Sequence, residues 1–332
     1  MAMAVASKAT LGAEVADAFR AHERFLWGLT YRMTGSAADA DDVVQETFVR
    51  ALARPPRRWT DPWRPWLVRV AMNVARDALR RRRRQPYAGP WLPSPIETDG
   101  EPGAYEAVLT GADGRPVTTE GRYDLLESVS FAFLLALEAL TPRQRAVLLL
   151  RDVFDYSVRE TADALHMSEP NVKTTHHRAR RAMADYDRTR LPVDAARQDA
   201  TRDMLGKFLA ALYEEDVRPM EDLLAADVRA LNDGGGEFIA ARKPVVGRAK
   251  VAHFYRKITR IGGVGAVPRL TTLNGLPGLV IENPRAPEGV ARRIVALIDL
   301  DADGGIRRIY NVLATPKLRR IFERPLVPLS PG

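Results

Sequence analysis

Residues 140–183 read LTPRQRAVLLLRDVFDYSVRETADALHMSEPNVKTTHHRARRAM, and this stretch decides how the remaining sequence is interpreted. The spacing of its apolar residues predicts two short amphipathic helices joined by a tight turn. Ser168 is predicted to cap the second helix, since Pro170 is tolerated in a first turn and Glu169 suits the positive end of the helix dipole. The predicted inward positions are Val158, Ala162 and Leu165 on the first helix and Val172, Ala179 and Met183 on the second.

The outer face of the second helix is rich in long hydrogen-bond donors. Its members are Lys173, Thr174, His177, Arg178 and Arg181. A helix-turn-helix with such a face is typical of proteins that read the major groove of DNA. The alternative is an ordinary helical hairpin with a solvated basic face. We favour the DNA-binding interpretation because the cap, the turn and the basic face occur together.

Composition narrows the class of protein. A chain of 332 residues predicts two or three domains, and a hydrophobic content of 46% is ample for packed cores. The formal net charge of +8 favours a polyanionic partner. No apolar run reaches the roughly 18 residues of a membrane helix, and the N-terminus lacks a signal-peptide pattern. The absence of cysteine excludes disulfides and thiolate zinc sites, so we expect a cytoplasmic protein without a metal or cofactor.

Residues 14–85 carry a helical pattern, after a start at residues 1–13 that is predicted to be disordered. The segment DADDVVQETFVRAL (39–52) places Val44, Phe48 and Leu52 four residues apart, with Val43 beside them, as an inward stripe. The residues left on the outer side are Asp41, Asp42, Gln45, Glu46 and Arg50. Taken alone, this pattern favours a solvated face on an amphipathic helix.

Segment 54–66 is Pro-rich and carries three of the chain's five tryptophans, Trp59, Trp63 and Trp66, among arginines. A helix follows and ends in the arginine run 80–84. Aromatic planes for base stacking, beside arginines for phosphates, are suited to gripping an unstacked single strand. In the alternative interpretation the tryptophans are core anchors, Trp66 above all, and the arginine run is a solvated helix end.

The middle of the chain is predicted to contain a linker and a second helical domain. Residues 86–123 are rich in Gly, Pro and acidic residues, which predicts a flexible linker. Its apolar island Trp91-Leu92-Pro93 is expected to dock on a neighbouring domain. Residues 124–190 form the helix-turn-helix domain, with a first helix over 125–140 and the next beginning at Thr141-Pro142.

Residues 195–320 predict a third domain of mixed structure. Helices are predicted over 197–213, 219–224 and 249–261, and strands over 228–231, 238–241, 270–273, 279–282, 293–300 and 307–313. Asn274-Gly275 and Asp303-Gly304 are hairpin signals. The order predicts an α+β fold in which helices cover a curved antiparallel sheet, after two all-α domains.

The first 190 residues resemble the bacterial extracytoplasmic-function, or group IV, sigma factors. DADDVVQETFVRAL (39–52) is similar to the region 2 helix that docks on the β′ subunit of RNA polymerase. WLVRVAMNVARDALRRRRR (66–84) is similar to the helix that reads the −10 element, and residues 140–183 resemble region 4, which reads the −35 element. The three matches follow the family's order, and a short linker in place of region 3 is typical of this group.

This resemblance implies a role for each outward face. The polymerase-binding residues would be Asp41, Asp42, Gln45, Glu46 and Arg50. The −10 element would be read or held by Trp63, Asn73, Arg76, Asp77, Arg80, Arg81 and Arg83. The −35 element would be read by Lys173, Thr174, His177, Arg178 and Arg181. The implied partners are core RNA polymerase and promoter DNA, and the implied function is promoter-specific transcription initiation by a protein that is not an enzyme.

The C-terminal unit resembles the SnoaL-like, nuclear-transport-factor-2-like cone domain that is fused to one subgroup of these sigma factors. Its W-L-P-E-P linker motif has Ser94 for Glu here, its D-G-G-G-K loop has Glu237 for Lys, and its N-P-D-K-L motif keeps only Lys317-Leu318. The regulatory interdomain residues that the resemblance implies are Trp91, Leu92, Pro93, Asp233, Gly234, Gly235, Gly236, Lys317 and Leu318.

Two interpretations of the C-terminal domain stay open. It is either a regulatory module that packs on the linker, or a pocket for a small ligand or an enzymatic reaction, with His253, Asp299 and Tyr310 as candidate pocket residues. For the whole chain, the alternative is a one-component helix-turn-helix regulator with a small-molecule-binding or enzymatic domain. That alternative gives no reason for the acidic helix at 39–52 or the Trp/Arg segment at 54–84.

Overall fold

The computed structural model describes residues 2–55, 63–98, 122–214, 216–263 and 265–322, with side chains from residue 12 onward. Its internal contacts divide the chain into two units. The first holds Met1–Gln85, Glu101–Val129 and Phe133–Arg188, and the second holds Pro86–Gly100, Ser130–Ala132 and Thr189–Gly332. Residues 86–98 of the predicted linker therefore belong with the C-terminal part of the chain, whereas 99–121, like Trp59, lie outside the described residues.

Three helices open the first unit: α1 (Ala2–Thr34), α2 (Ala37–Ala53) and α3 (Trp63–Arg84). The expectation of a disordered start was wrong, since α1 begins at Ala2; its first turns are rich in alanine, the strongest helix former. Gly35 separates α1 from α2 with a positive φ of 69°, and the Ser36 hydroxyl then caps α2 by accepting the Asp39 amide. Leu52, predicted inward, is 50% exposed in the last turn of α2.

The helix predicted over 125–140 is broken into a 3₁₀ turn (Glu127–Val129), α4 (Phe131–Ala136) and a second 3₁₀ turn (Leu137–Ala139). The Leu125 carbonyl accepts hydrogen bonds from the Ser128 hydroxyl, three residues later, and from the Arg32 guanidinium, 93 residues earlier, and both side chains compete with the helix ladder. Thr141-Pro142 begins α5 (Pro142–Leu148) as predicted, with a complete capping box to Gln144.

A π-helical turn (Leu149–Val153) leads from α5 to the helix-turn-helix, α6 (Val158–Leu165) and α7 (Glu169–Ala182), and α8 (Ala184–Thr189) follows. His166 has a positive φ of 51° and ends α6, which turns the chain into α7. Val172, Ala179 and Met183 are buried, as their spacing predicts. Ser168 occupies the N-cap position of α7 as predicted, although its side chain makes no capping hydrogen bond.

The second unit is an α+β fold. Its helices are α9 (Ala195–Leu212), α10 (Arg218–Leu223), α11 (Arg248–Gly262) and α12 (Thr315–Phe322). Its strands are β1 (Leu224–Asp233), β2 (Val245–Val246), β3 (Val267–Leu273), β4 (Leu276–Glu282), β5 (Arg293–Leu300) and β6 (Ile306–Val312). They form one sheet in the order β2-β1-β6-β5-β4-β3, parallel between β1 and β6 and otherwise antiparallel.

Turn chemistry sets the edges of this sheet. Asn274 and Gly275 both have positive φ, the type I′ geometry, and join β3 to β4 as the sequence predicts. Residues 238–241, predicted as a strand, form a loop instead: the chain leaves β1 through Gly235 and Gly236, whose positive φ turns it out of the sheet.

The register assigns the strand residues to two faces. Ala230, Ile309 and Ile298 align across β1, β6 and β5 and pack with α9 and α11 into an apolar core. Tyr310 lies on the opposite face, where it contacts Phe131 with ring centroids 5.6 Å apart. No helix among the described residues is long and apolar enough to cross a membrane.

Candidate nucleic-acid interface

The outer face of α7 carries the five residues that the sequence singles out. Lys173, Thr174, His177, Arg178 and Arg181 are all exposed. The inward side of the helix is formed by Val172, Thr175 and Ala179, so the exposed side chains share one stripe along the helix. Three cationic side chains with a hydroxyl and an imidazole give this stripe donors that suit both phosphates and guanine edges.

A buried carboxylate holds α7 in place. Asp152, in the π-helical turn, is 1% exposed and accepts from Arg180 Nη2 at 2.6 Å and from Arg180 Nε at 3.0 Å, while His176 Nε2 lies 2.8 Å away. Burial by itself opposes ionisation, but the hydrogen bonds of His176 and Arg180 outweigh it and lower the pKa of Asp152. His176 and Arg180, the residues of α7 that contact Asp152, therefore fix the orientation of the exposed stripe on this helix.

The residues predicted to bind the unstacked single strand of the −10 element are spread along α3. Trp63 is half-buried and meets Trp66 edge-on, with ring centroids 6.3 Å apart. Asn73 and Arg76 are half-buried neighbours, with Arg76 Nη1 3.4 Å from Asn73 Oδ1. The remaining members of the set, Asp77, Arg80, Arg81 and Arg83, are exposed. Within this set, Arg80 forms an ion pair with Asp77 at 2.9 Å.

The arginine run at the end of α3 also contacts the helix-turn-helix part of the same unit. Arg83 Nη2 donates to the carbonyl oxygens of Leu140 at 2.5 Å and Glu138 at 3.3 Å. Arg82 donates to Glu138 Oε1 at 2.6 Å, and the buried Arg145 reaches the same oxygen at 2.8 Å. Burial opposes ionisation of Glu138, yet the two guanidiniums lower its pKa. One carboxylate thus joins α3 to α5.

A second buried arginine links α1 to the same region. Arg32 is fully buried, donates from Nε to the Ser128 hydroxyl at 2.7 Å and from Nη2 to the Leu125 carbonyl at 2.9 Å. Its guanidinium carbon lies 5.3 Å from the centre of the Phe154 ring. Sequence reasoning missed Arg32, Glu138 and Arg145. For Arg32 the sequence did contain a signal: it is the one charged residue of the apolar segment WGLTYRM (27–33) and occupies an inward position of the helix.

The outer side of α2 forms a separate acidic face. Asp42, Gln45 and Arg50 are exposed, and Glu46 pairs with Arg50 at 2.7 Å. Asp41 is half-buried and accepts from Trp27 Nε1 at 2.7 Å, so it also anchors α2 on α1. Val49 and Leu52 are exposed beside these charges, at 58% and 50%. The face therefore combines charge with apolar surface, as protein-binding surfaces do.

The motif residues of the second unit meet at one buried carboxylate. Asp233 is 0% exposed and accepts from the Leu92 amide at 2.7 Å and from the Tyr87 hydroxyl at 2.5 Å. Lys317 Nζ lies 2.5 Å from Asp233 Oδ2 and donates to the Leu92 carbonyl at 2.6 Å. The Lys317 ammonium also lies 4.4 Å from the centre of the Trp91 ring. We call these contacts the clamp.

The clamp holds residues 86–98, which we call the strap, on the sheet. Pro93 is buried, the Thr98 amide donates to the Thr272 carbonyl at 2.9 Å, and Glu97 pairs with Arg269 at 2.7 Å. The strap is therefore packed and hydrogen-bonded rather than flexible, which corrects that part of the linker prediction.

Glycines let the clamp form. The Gly235 amide donates to Asp233 Oδ1, and a side chain at Gly235 would place its Cβ 2.8 Å from the Ala314 Cβ. Gly234 is buried, Gly236 has a positive φ, and Leu318 is buried one residue after Lys317. The loop after β1 and the start of α12 consequently pack closely around Asp233.

Of the three candidate pocket residues of the sheet domain, Asp299 and Tyr310 lie on the same sheet face, whereas His253 lies apart from them. His253 is exposed and its Nδ1 lies 2.8 Å from its own helix carbonyl at Ala249. Asp299 pairs with Arg197 at 2.5 Å. Tyr310 is on the sheet face opposite α9 and α11 and contacts Phe131. Among the described residues, no three His, Cys, Asp or Glu side chains are grouped as metal ligands.

Two families match parts of the chain. The family described as Sigma-70 region 2 matches residues 18–85, and the family described as Sigma-70, region 4 matches residues 130–183. The first match covers α2 and α3, and the second covers the helix-turn-helix. The region 2 match accounts for the acidic helix and the arginine-rich helix, for which the alternative interpretation as a one-component regulator gives no reason.

Full-length similarity is also found. The ECF RNA polymerase sigma factor SigJ of Mycobacterium tuberculosis is 30% identical over 301 residues, which cover 89% of this chain and 90% of that protein. The ECF RNA polymerase sigma factor SigW of Bacillus subtilis is 28% identical over 173 residues, 51% of this chain and 86% of that protein. The crystal structure of M. tuberculosis SigJ superposes with a TM-score of 0.69 at 25% identity, over 92% of this chain and 98% of that one. The predicted fold class, two helical domains and a C-terminal sheet domain, is confirmed.

We expect Asp152→Asn to lower the free energy of unfolding of the first unit by about 2 kcal/mol at pH 7, because it removes charge-assisted hydrogen bonds to a buried carboxylate. Binding of duplex DNA should weaken with it. Since the pKa of Asp152 is depressed, its contribution is fully present above the ordinary value of 3.8 and is lost as the pH falls below it. Urea unfolding at pH 7 and pH 3 measures the loss; Asp185→Asn, an exposed carboxylate on α8, is the control. An equal loss at both pH values would contradict this account.

We expect Asp233→Asn to release the strap, because one partner of a buried ion pair is removed at a cost of about 3 kcal/mol. At that cost, the Leu92 amide hydrogen should exchange with solvent more than about 100-fold faster in the variant than in the unchanged chain. Hydrogen exchange of a peptide that covers residues 87–98 measures it. Asp301→Asn, which alters a turn carboxylate in the same domain, is the matched control. Unchanged exchange of the strap peptide in Asp233→Asn would refute the role of the clamp.

Proposed function

The chain belongs to the extracytoplasmic-function family of RNA polymerase sigma factors, and from this premise we propose which of its surfaces bind the polymerase and the promoter. As a member it directs promoter-specific transcription initiation. Its acidic α2 face, with Asp42, Gln45 and Glu46, binds the β′ subunit of core RNA polymerase. The exposure of Asp42 and Gln45 next to Val49 and Leu52 supports this assignment.

The exposed stripe of α7 reads the −35 element. The single observation that carries this proposal is that all five predicted donors are exposed on one side of a helix whose other side is buried. Lys173 and Arg178 suit guanine edges, and each good contact is worth about 1–3 kcal/mol of discrimination. His177 contacts either a base or a phosphate. On α3, Asn73 pairs its amide with an unstacked base of the −10 element, and Arg80 and Arg81 hold phosphates.

The contact between α3 and α5 defines a closed state. The −10 and −35 elements are separate sites on the promoter, which the two DNA-reading bodies must reach at the same time. Arg83, assigned to phosphates, instead lies 2.5 Å from the Leu140 carbonyl oxygen. The two DNA-reading bodies must therefore separate before both elements are bound. We infer that Glu138, with Arg82 and Arg145, holds the inactive state closed.

The C-terminal domain tunes this opening through the strap. The strap is part of the only covalent connection between α3 and the helix-turn-helix, and the clamp fixes it on the sheet domain. A domain that binds the connection limits how its two ends separate. The pairing of Asp299 with Arg197 and the exposure of His253 favour this regulatory role over catalysis.

We expect Asp42→Arg to abolish association with core RNA polymerase while leaving the fold intact, because it reverses an exposed charge in the centre of the acidic face. Co-elution of the purified variant with core polymerase on size exclusion measures this. Asp199→Arg, the same change on an exposed position of α9, should co-elute like the unchanged chain. Normal co-elution of Asp42→Arg would exclude the α2 assignment.

We expect Glu138→Gln to favour the open state, because it removes the charge that joins Arg82 to Arg145. Since the chain has no cysteine, Ala53→Cys and Asp163→Cys give two specific labelling sites on exposed positions of α2 and α6. Energy transfer between the labels should fall, and affinity for a promoter fragment with both elements should rise about 3- to 10-fold. Asp17→Asn, which removes an exposed carboxylate on α1, is the control. Unchanged transfer and affinity would rule out the latch.

A further inference from the structure

A cleft of about 810 Å³ lies in the second unit, outside the clamp and outside the DNA-reading surfaces. Its walls are the loop from β4 to β5 (residues 283–292), the loop after β1, and α12. The floor is apolar, with Phe238, Val290, Leu313, Leu318 and Phe322. This volume falls within the range that proteins use for drug-sized ligands.

The rim of the cleft is cationic. Arg292, Arg293 and Arg319 line it and are exposed, and Glu288 is the acid among the lining residues. Within the described part of the chain, none of the three arginines forms an ion pair. Arg293 lies over the Phe322 ring, 4.8 Å from its centre, which directs a guanidinium across the apolar floor. The cleft therefore presents several unneutralised guanidiniums beside a hydrophobic surface.

This combination selects one ligand chemistry. A guanidinium binds a carboxylate with two parallel hydrogen bonds, and the apolar floor favours a ligand whose remainder is hydrocarbon. A strongly hydrated polyanion would leave the floor uncovered. A neutral hydrocarbon would leave the arginines without a partner. A small amphipathic carboxylate satisfies both surfaces.

Two of the segments that wall the cleft, the loop after β1 and α12, also carry residues of the clamp. Phe238, which lines the cleft, is in the loop that follows Asp233. Lys317, which pairs with Asp233, is on α12 between the lining residues Thr315, Leu318 and Arg319. A ligand that contacts Phe238 and Leu318 touches both segments that carry the clamp's ion pair. Its binding free energy must then depend on whether the clamp is formed, and the clamp must respond by the same factor.

We propose that this cleft binds a small carboxylate with an apolar body, such as a medium- or long-chain acyl acid, and that occupancy biases the clamp on the strap. The site would be the input of the regulation proposed above and rests on that function for its biological effect. The binding itself is independent of the polymerase and of DNA. The two parts are therefore separable by experiment.

Binding is tested with 11-(dansylamino)undecanoic acid, a fluorescent acyl carboxylate, added to the full-length protein. We expect saturable binding with a rise in fluorescence. The methyl ester of the same probe, which lacks the charge, should bind at least 10-fold more weakly. The double variant Arg292→Glu/Arg319→Glu should weaken acid binding at least 10-fold, whereas Arg202→Glu, a charge reversal at an exposed position of α9, should not change it. Thermal melting checks that each variant is folded.

Three results would overturn the site: no saturable binding, equal binding of acid and ester, or a double variant that is folded and binds normally. Coupling to the clamp is tested with Lys317→Met, which should change the dissociation constant of the probe at least 3-fold. An unchanged constant would overturn the coupling. Asp42→Arg should bind the probe like the unchanged chain. If Asp42→Arg binds the probe but still co-elutes with core polymerase, the proposed function has failed. If Asp42→Arg loses polymerase binding but the unchanged chain does not bind the probe, the ligand site has failed.

Discussion

The arrangement of the second unit depends on one buried carboxylate, Asp233. Removing a carboxylate from water costs several kcal/mol, so the charge persists only because its oxygens accept from two amides, a hydroxyl and the Lys317 ammonium. Those partners come from the strap, from the loop after β1 and from α12. If one of these partners left, the buried charge would lose part of its compensation. The three segments, which are distant in sequence, are therefore held together. The regulation proposed for this domain, and the proposed coupling of the ligand site to it, follow from that dependence.

The first unit uses the same principle at Arg32, Asp152 and Glu138, but with different consequences. Asp152 orients α7 within one helical body, which the proposed DNA-reading role of this helix needs in every state. Glu138 joins α3 to α5, which under the proposed function must part when a promoter is bound. Buried ion pairs add little net stability compared with apolar packing, whereas losing one partner is costly. Such pairs suit a contact that has two discrete states, closed or broken, better than a gradual one.

Local patterns predicted much of this structure, and nonlocal contacts explain the failures. The apolar phase of α6 and α7, the capping box at Thr141 and the Asn274-Gly275 hairpin depend on neighbours within a few residues, so sequence reasoning found them. The break in 125–140 depends on Arg32, over 90 residues away, and the ordered strap depends on Asp233, over 140 residues away. The loop at 238–241 looked like a strand because its residues are apolar, but the glycines before it turn the chain away. The five exposed residues of α7 were predictable, whereas Glu138 and Arg145 were not, because nothing local shows which surface a charge will face.

Arg83 connects the closed contact to DNA binding. In the closed state its guanidinium donates to the Leu140 and Glu138 carbonyls, hydrogen bonds worth about 1.5–3 kcal/mol because the donor is charged. A DNA phosphate offers the same donor a full negative charge and releases counterions, which adds a gain that falls as salt rises. The guanidinium cannot serve both partners, so each phosphate contact at this site opposes closure by the difference between them. Under the proposed function, promoter binding and opening are therefore one coupled equilibrium, and the affinity of the free chain for DNA is reduced by the fraction of molecules that are closed. A polymerase that binds the α2 face of the open form, together with a domain that holds the strap, would act on that same fraction from two sides.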